Sequence, residues 1–168
     1  MGQLTGTNDY LTRRKPMPTS SEAAETLSVR FTLAMATGDL DVGDIGAIGI
    51  LPAGHVPVDM FVDGTDMDTG AAALVVQFGL GNLALQDAAG AVSADAKNTL
   101  ISTVAKDGGA AWGSTTAANT SFMQQVIGYP MTQVQAVDYD RYIVAKITTA
   151  PTAAAAGTLG LTLNYRAV

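Results

Sequence analysis

The chain has 168 residues, which suits one domain, because two would each be short of a self-sufficient core. Only 14% of the residues are charged, the net charge is −6 and the isoelectric point is near 4.4, a balance that disfavours phosphate neutralisation and therefore nucleic acid as a partner. The absence of cysteine excludes disulfides, thiolate-ligated zinc and thiol nucleophiles, and MGQLTGTNDYLTRRK lacks the apolar stretch of an export signal, so synthesis in the cytoplasm without a membrane span is expected.

Residues 1 to 26 show no sustained periodicity; they carry Gly2, Gly6, Pro16, Pro18 and mixed charges. This part reads as an extended N-terminal arm, either a free terminus or a segment that orders against a neighbouring subunit. Its Arg13-Arg14-Lys15 run is the chain's basic cluster and the candidate partner contact. Residues 27–168 read as a single β-domain.

From Leu27 the pattern sharpens. Leu27, Val29, Phe31, Leu33 and Met35 alternate with Ser28, Arg30, Thr32, Ala34 and Ala36, the period of two of a half-buried strand. Gly38-Asp39 and Gly43-Asp44 mark turns, and Ile45 to Leu51 reads as a shorter strand interrupted by Gly46 and Gly49. Pro52-Ala53-Gly54 is the next turn.

Leu51 to Leu80 then reads as a β-arch or long hairpin. Val56, Val58, Met60 and Val62 share one face of its first run, and Leu74, Val76, Phe78 and Leu80 share one face of its second, both turned to one core. Pro57 cannot donate to a ladder, which predicts an edge or a bulge there. Between the runs, Asp63 to Gly70 offers carboxylates that fold onto their own backbone and glycines suited to positive φ.

Residues 81–120 read mostly as loop, with Ser93 capping one short helix from Ala94 to Ala105 and Trp112 as a loop anchor. Met123 to Ile127, Met131 to Ala136 and Tyr139 to Thr148 are further strand candidates. In the last of these Ile143, Ala145 and Ile147 face one way, and Tyr142, Val144 and Lys146 the other. Leu159, Leu161, Leu163 and Tyr165 form a terminal strand. About eight strands and at most one short helix predict an all-β fold, an antiparallel, jelly-roll-like β-sandwich.

Few constellations suggest chemistry. Asp63, Asp66 and Asp68 could offer oxygen ligands to a cation, but their spacing is not that of a calcium loop and Asp-Gly-Thr-Asp is ordinary turn chemistry. His55, the single histidine, reads as a surface or turn residue, and no G-x-S-x-G elbow accompanies it. Gly79-Leu80-Gly81 has neither the third glycine nor the helix of a nucleotide loop. No catalytic residue, metal site or cofactor is expected, and the chain is not expected to be an enzyme.

The stretch LPAGHVPVDMFVDGTDMDTGAAALVVQFGL, with the later DYDRYIVAKITTAPTAAAAGTLGLTLNYRAV, resembles the capsid decoration (cement) proteins of tailed bacteriophages. The matching residues are Leu51 to Asp59, Asp63 to Gly70 and Gly157 to Ala167. The resemblance implies a virion protein on the outer surface of the capsid, with the major capsid protein and other copies of itself, as trimer or dimer, for partners. It implies a structural role that stabilises the shell against internal DNA pressure. A host-surface or carbohydrate-binding sandwich module and a tail or connector component are the alternatives.

Overall fold

The computed structural model describes residues 10–11, 14–19, 25–71, 73–80, 113–116, 122–126 and 134–168. Its strands are β1 (Thr26–Met35), β2 (Ile45–Leu51), β3 (His55–Gly64), β4 (Val75–Leu80), β5 (Gly113–Thr116), β6 (Phe122–Val126), β7 (Arg141–Thr149) and β8 (Gly157–Ala167). Among the described residues, helix is confined to a 3-10 turn at Thr37–Asp39. The expected helix at 94–105, Trp112, and Met131 to Gln133 lie outside the described residues.

Among the described residues, two four-stranded antiparallel sheets form, in the orders β1-β8-β3-β6 and β2-β7-β4-β5. The pairings β1 with β8, β2 with β7, β3 with β6 and β4 with β5 describe one antiparallel ribbon folded at its middle. Rolling that ribbon brings β8 beside β3 and β7 beside β4. This is a jelly-roll-like wrapping, and it makes the passage from β3 to β4 an arch between sheets rather than a hairpin within one.

The inward positions are those the alternation marks. Val29, Phe31, Leu33 and Met35 of β1, Val76, Phe78 and Leu80 of β4, Ile143, Ala145 and Ile147 of β7 and Leu159, Leu161, Leu163 and Tyr165 of β8 are buried in one cluster between the sheets. Each buried Leu or Phe contributes about 1.5–3 kcal/mol by leaving water. Gly49 has a packing reason: a Cβ there would sit 2.7 Å from the Phe31 ring.

Several expectations are corrected. Val56 and Val58 do not share the inward face with Met60 and Val62; Val58 is 39% exposed, and His55 and Pro57 are buried instead. The cause is a bulge between Pro57 and Asp59, which adds a residue and reverses the phase. The strand β6 pairs only with Met60–Gly64, so nothing in that ladder demands an N–H from Pro57. The same phase reversal takes His55 off the surface, to 4% exposure. Residues 134–136 are not strand, whereas Gly113–Thr116, lacking apolar alternation, is strand because it pairs with Val75–Phe78.

Candidate functional site

The arch from β3 to β4 crosses from one sheet to the other, and its backbone N–H groups leave the ladders that would satisfy them. Asp68 replaces those acceptors. One carboxylate oxygen, Oδ1, accepts from the N–H groups of Gly70 (3.3 Å), Thr152 (3.0 Å) and Ala153 (3.1 Å), and the Thr152 hydroxyl is also 3.0 Å away. The other, Oδ2, accepts from Ala73 (2.8 Å) and Leu74 (3.2 Å). The side chain is fully buried. Burial pushes its carboxyl up, but the hydrogen bonds from Ala73, Ala153, Thr152 and Leu74 outweigh that and hold it far below the usual carboxylate range.

These bonds join the arch to the connection between β7 and β8. Thr69 N–H donates to Ala153 O (3.0 Å) and Ala155 N–H to Met67 O (3.2 Å), and Asp68 bridges Ala154. Gly70 is needed for close approach, since a Cβ there would collide with the Thr152 side chain. Positive φ, expected of the glycines in this arch, is found instead at Gly43 (96°) and Gly54 (71°) in neighbouring turns.

The other two carboxylates of the acidic turn do different work. Asp66 accepts the Asp68 N–H at 3.1 Å, an Asx turn. Asp63 leaves the loop altogether: it lies on the outer face of β3 and forms a two-pronged ion pair with Arg30 of β1, with Arg30 Nη2 donating to its Oδ1 at 2.7 Å. The pair runs over β8, and Gly160 makes room for it; a Cβ there would lie 2.5 Å from Asp63 Oδ1 and 2.6 Å from Arg30 Nη2. The Arg30 hydrogen bond, opposed by partial burial and helped by its charge, lowers the Asp63 carboxyl. Asp63, Asp66 and Asp68 are thus held by separate donors. Among the described residues no group of three or more acidic or histidine side chains is gathered around a common metal position.

His55 donates from Nδ1–H to Ala53 O (2.7 Å) and meets the Tyr165 ring edge-on at 5.4 Å, while Arg141 Nη2 donates to its backbone carbonyl (3.3 Å). It is a core residue that fastens the turn before β3.

Of the candidate arm residues, Arg13 lies outside the described residues, and Arg14 and Lys15 are exposed. Lys15 Nζ is 6.0 Å from the centre of the Tyr10 ring. The segment around them rests on the chain's own sandwich. Tyr10 meets Phe31 edge-on at 5.5 Å, Met17 packs on the main core, and Leu11 and Met17 pack on a second cluster of Ile45, Ile50, Tyr142 and Val144 on the outer face of β2 and β7. The Tyr165 hydroxyl donates to Pro18 O at 2.7 Å; burial, with a smaller effect of Tyr10, pushes its phenol up to about 12. A cleft of ≈ 410 Å³ lies between this segment and the turn after β2, lined by Tyr10, Lys15, Met17, Ile50, Pro52 and Asp140 among others. The sequence signal for this docking is Tyr10, Leu11 and Met17, apolar residues in a largely polar segment.

No family model matches the chain, and no curated protein matches it. Its solved structural neighbours include a chain of the capsid of Ralstonia phage GP4, 20% identical, with a TM-score of 0.73 over 99% of this chain and 97% of that one. A chain of the cyanophage Pam1 capsid is 16% identical, with a TM-score of 0.49 over 92% of this chain and 94% of its own length. The first likeness shows a common fold from end to end.

Proposed function

We propose that the chain is a structural virion protein of a tailed phage, a decoration protein that binds the outer surface of the major capsid protein shell and opposes its rupture. The observation that carries this reading is the GP4 likeness, which spans 99% of the chain and 97% of a chain from a phage capsid. The sequence resemblance at Leu51 to Asp59, Asp63 to Gly70 and Gly157 to Ala167 points the same way.

The physical character of the domain supports it. Each carboxylate of the acidic turn is spent on holding the fold: Asp68 ties two connections together, Asp66 closes a turn and Asp63 joins β1 to β3. Binding to a shell needs such rigidity and no turnover, and any species that binds only the assembled lattice stabilises it by mass action. Many weak copies acting on one shell add their effect. The Arg13-Arg14-Lys15 cluster supplies positive charge on an otherwise acidic chain and is the proposed contact of the arm with the shell or with a neighbouring copy.

Purified protein is mixed with expanded capsids that lack it, with unexpanded procapsids as the control, and sedimented; thermal rupture of the shells is then followed. Saturable binding to expanded shells with a higher rupture temperature is the expected result. No binding to either shell overturns the reading. A chain shortened by residues 2–24 is expected to bind the same shells at least about tenfold more weakly, roughly 1.4 kcal/mol, and unaltered affinity refutes the part assigned to the arm.

A further inference from the structure

Among the described residues, the strand β1 stands at the end of its sheet, with β8 as its neighbour on one side. It is ten residues long and pairs with β8 through all of Thr26–Met35 without a register shift, whereas β2, β3 and β4 each carry one in their ladders. It has no proline and no acidic residue, and its single charge, Arg30, is tied to Asp63. Sheet edges are ordinarily blunted by bulges, prolines, free lysines or short length, because a regular edge offers unpaired N–H and C=O groups to any extended chain. The β2 edge of the other sheet is blunted by its bulge at Ala47 and Gly49. β1 carries none of these devices.

We propose that β1 is the surface through which two copies of this chain join, by antiparallel pairing of β1 with β1 across a two-fold axis. This deepens the reading above, which calls for other copies as partners, and names the surface they use. The strand meets the demands of a self-complementary edge. The outward Ser28, Thr32 and Ala34 are small and uncharged, and Arg30 is the one long charged side chain among the outward positions, so a copy brought alongside meets no like charge when each Arg30 faces one of the small residues. The chain as a whole carries −6, and two copies repel over most of their surface, but the acid-free β1 strip is a place where they approach without adding to that repulsion. Pairing with the core faces on the same side requires inward residues to oppose inward residues, so the axis passes through a residue and not between two. An axis at Phe31 sets Arg30 opposite Thr32 of the partner and avoids placing two arginines together. The ring contact of Tyr10 is with the core-facing side chain of Phe31. The pairing joins two four-stranded sheets into one that continues across the axis.

The chain's lack of cysteine makes the test direct. Thr26→Cys, Ser28→Cys, Thr32→Cys and Ala34→Cys are made singly in the full chain and oxidised under mild conditions, with Thr158→Cys on the exposed face of β8 as control. Disulfide-linked dimers are expected to be most abundant at Thr32, next to the axis, and to fall away toward Thr26, with little at Thr158. In parallel, the doubly substituted Thr32→Lys, Ala34→Lys chain is compared with the unaltered one by sedimentation equilibrium. Its dimer dissociation constant is expected to rise at least about tenfold while its melting curve stays unchanged. Equal cross-linking at all five positions, or a chain that stays monomeric up to about 100 μM, overturns the pairing. Shell co-sedimentation reads the two ideas apart: a monomer that still binds expanded capsids refutes the β1 interface and leaves the capsid reading standing, and a β1-linked dimer that binds no shell does the reverse.

Discussion

Asp63 and Asp68 belong to one acidic turn and have the same chemistry, yet the fold treats them oppositely. Asp68 is fully buried and accepts five backbone N–H groups drawn from its own arch and from the connection between β7 and β8. Asp63 stays on the outer sheet surface, 27% exposed, and answers one arginine that is itself 52% exposed. The weight of a carboxylate is set by how many donors depend on it and how far water is excluded, not by the acidic company it keeps in the sequence.

The largest effect is therefore expected at Asp68. Asp68→Ala leaves the N–H groups of Ala73, Leu74, Thr152 and Ala153 without their acceptor, the Leu74 one in a buried position, and the melting temperature followed by circular dichroism is expected to fall by several degrees, about 5 °C or more. Asp68→Asn keeps the shape but turns an amide donor toward those donors, so it is expected to fall nearly as far. A shift within about 2 °C for both would refute the staple. The acid limb sharpens the comparison. The folded Asp68 carboxyl titrates below its unfolded value of about 3.9, so in that window the unfolded chain binds the extra proton. Its stabilisation is complete above that value and is lost as pH falls through the folded one; an Asp68→Asn chain is expected to show a flatter acid limb, and an identical limb would count against the assignment.

A smaller effect is expected where the N-terminal segment meets the sandwich. Tyr165→Phe removes the hydroxyl that donates to Pro18 O and leaves the ring in the core, at a cost of about 1 kcal/mol in denaturant unfolding. Proteolysis within residues 10–19 is expected to quicken, because the other attachments named, Tyr10 on Phe31 and Met17 on the core, are packing contacts. Unchanged proteolysis would mean that the Tyr165 hydroxyl does not hold the segment.

The inner faces of the sheets were legible because each depends on one strand's own alternation: Phe31 and Leu33, Val76 and Phe78, Leu161 and Leu163 all lie where the period of two puts them. Legibility failed where a partner distant in sequence decides the outcome. The bulge at Pro57 and Asp59 is a property of the ladder with β8, and it turned Val58 outward and His55 inward. Gly113–Thr116 has no apolar pattern and is strand through its pairing with β4. From the sequence the acidic turn looks self-contained, but Asp68 completes its shell with Thr152 and Ala153, and Asp63 with Arg30. The N-terminal arm likewise reads as free or as waiting for a neighbour, and although Tyr10, Leu11 and Met17 are apolar, nothing local in Pro18 announces Tyr165.

The smallest effect closes the comparison at Asp63. Its ion pair with Arg30 lies on the outer sheet surface, so Asp63→Asn is expected to cost less than about 1 kcal/mol, and that difference is expected to shrink in about 1 M salt, where the screening length is near 3 Å. Because Arg30 lowers the Asp63 carboxyl, whatever the pair contributes is present above the ordinary carboxylate range and is lost as pH falls below it, in the same direction as for Asp68. Salt separates the two, since a carboxylate that is itself buried is screened far less than a surface pair. Denaturant unfolding of the unaltered chain, Asp63→Asn and Asp68→Asn at low and high salt reads this directly. A salt-insensitive Asp63 loss as large as that at Asp68 would show that the bridge over Gly160 is part of the sandwich's framework, with the same standing as the buried carboxylate beneath the arch.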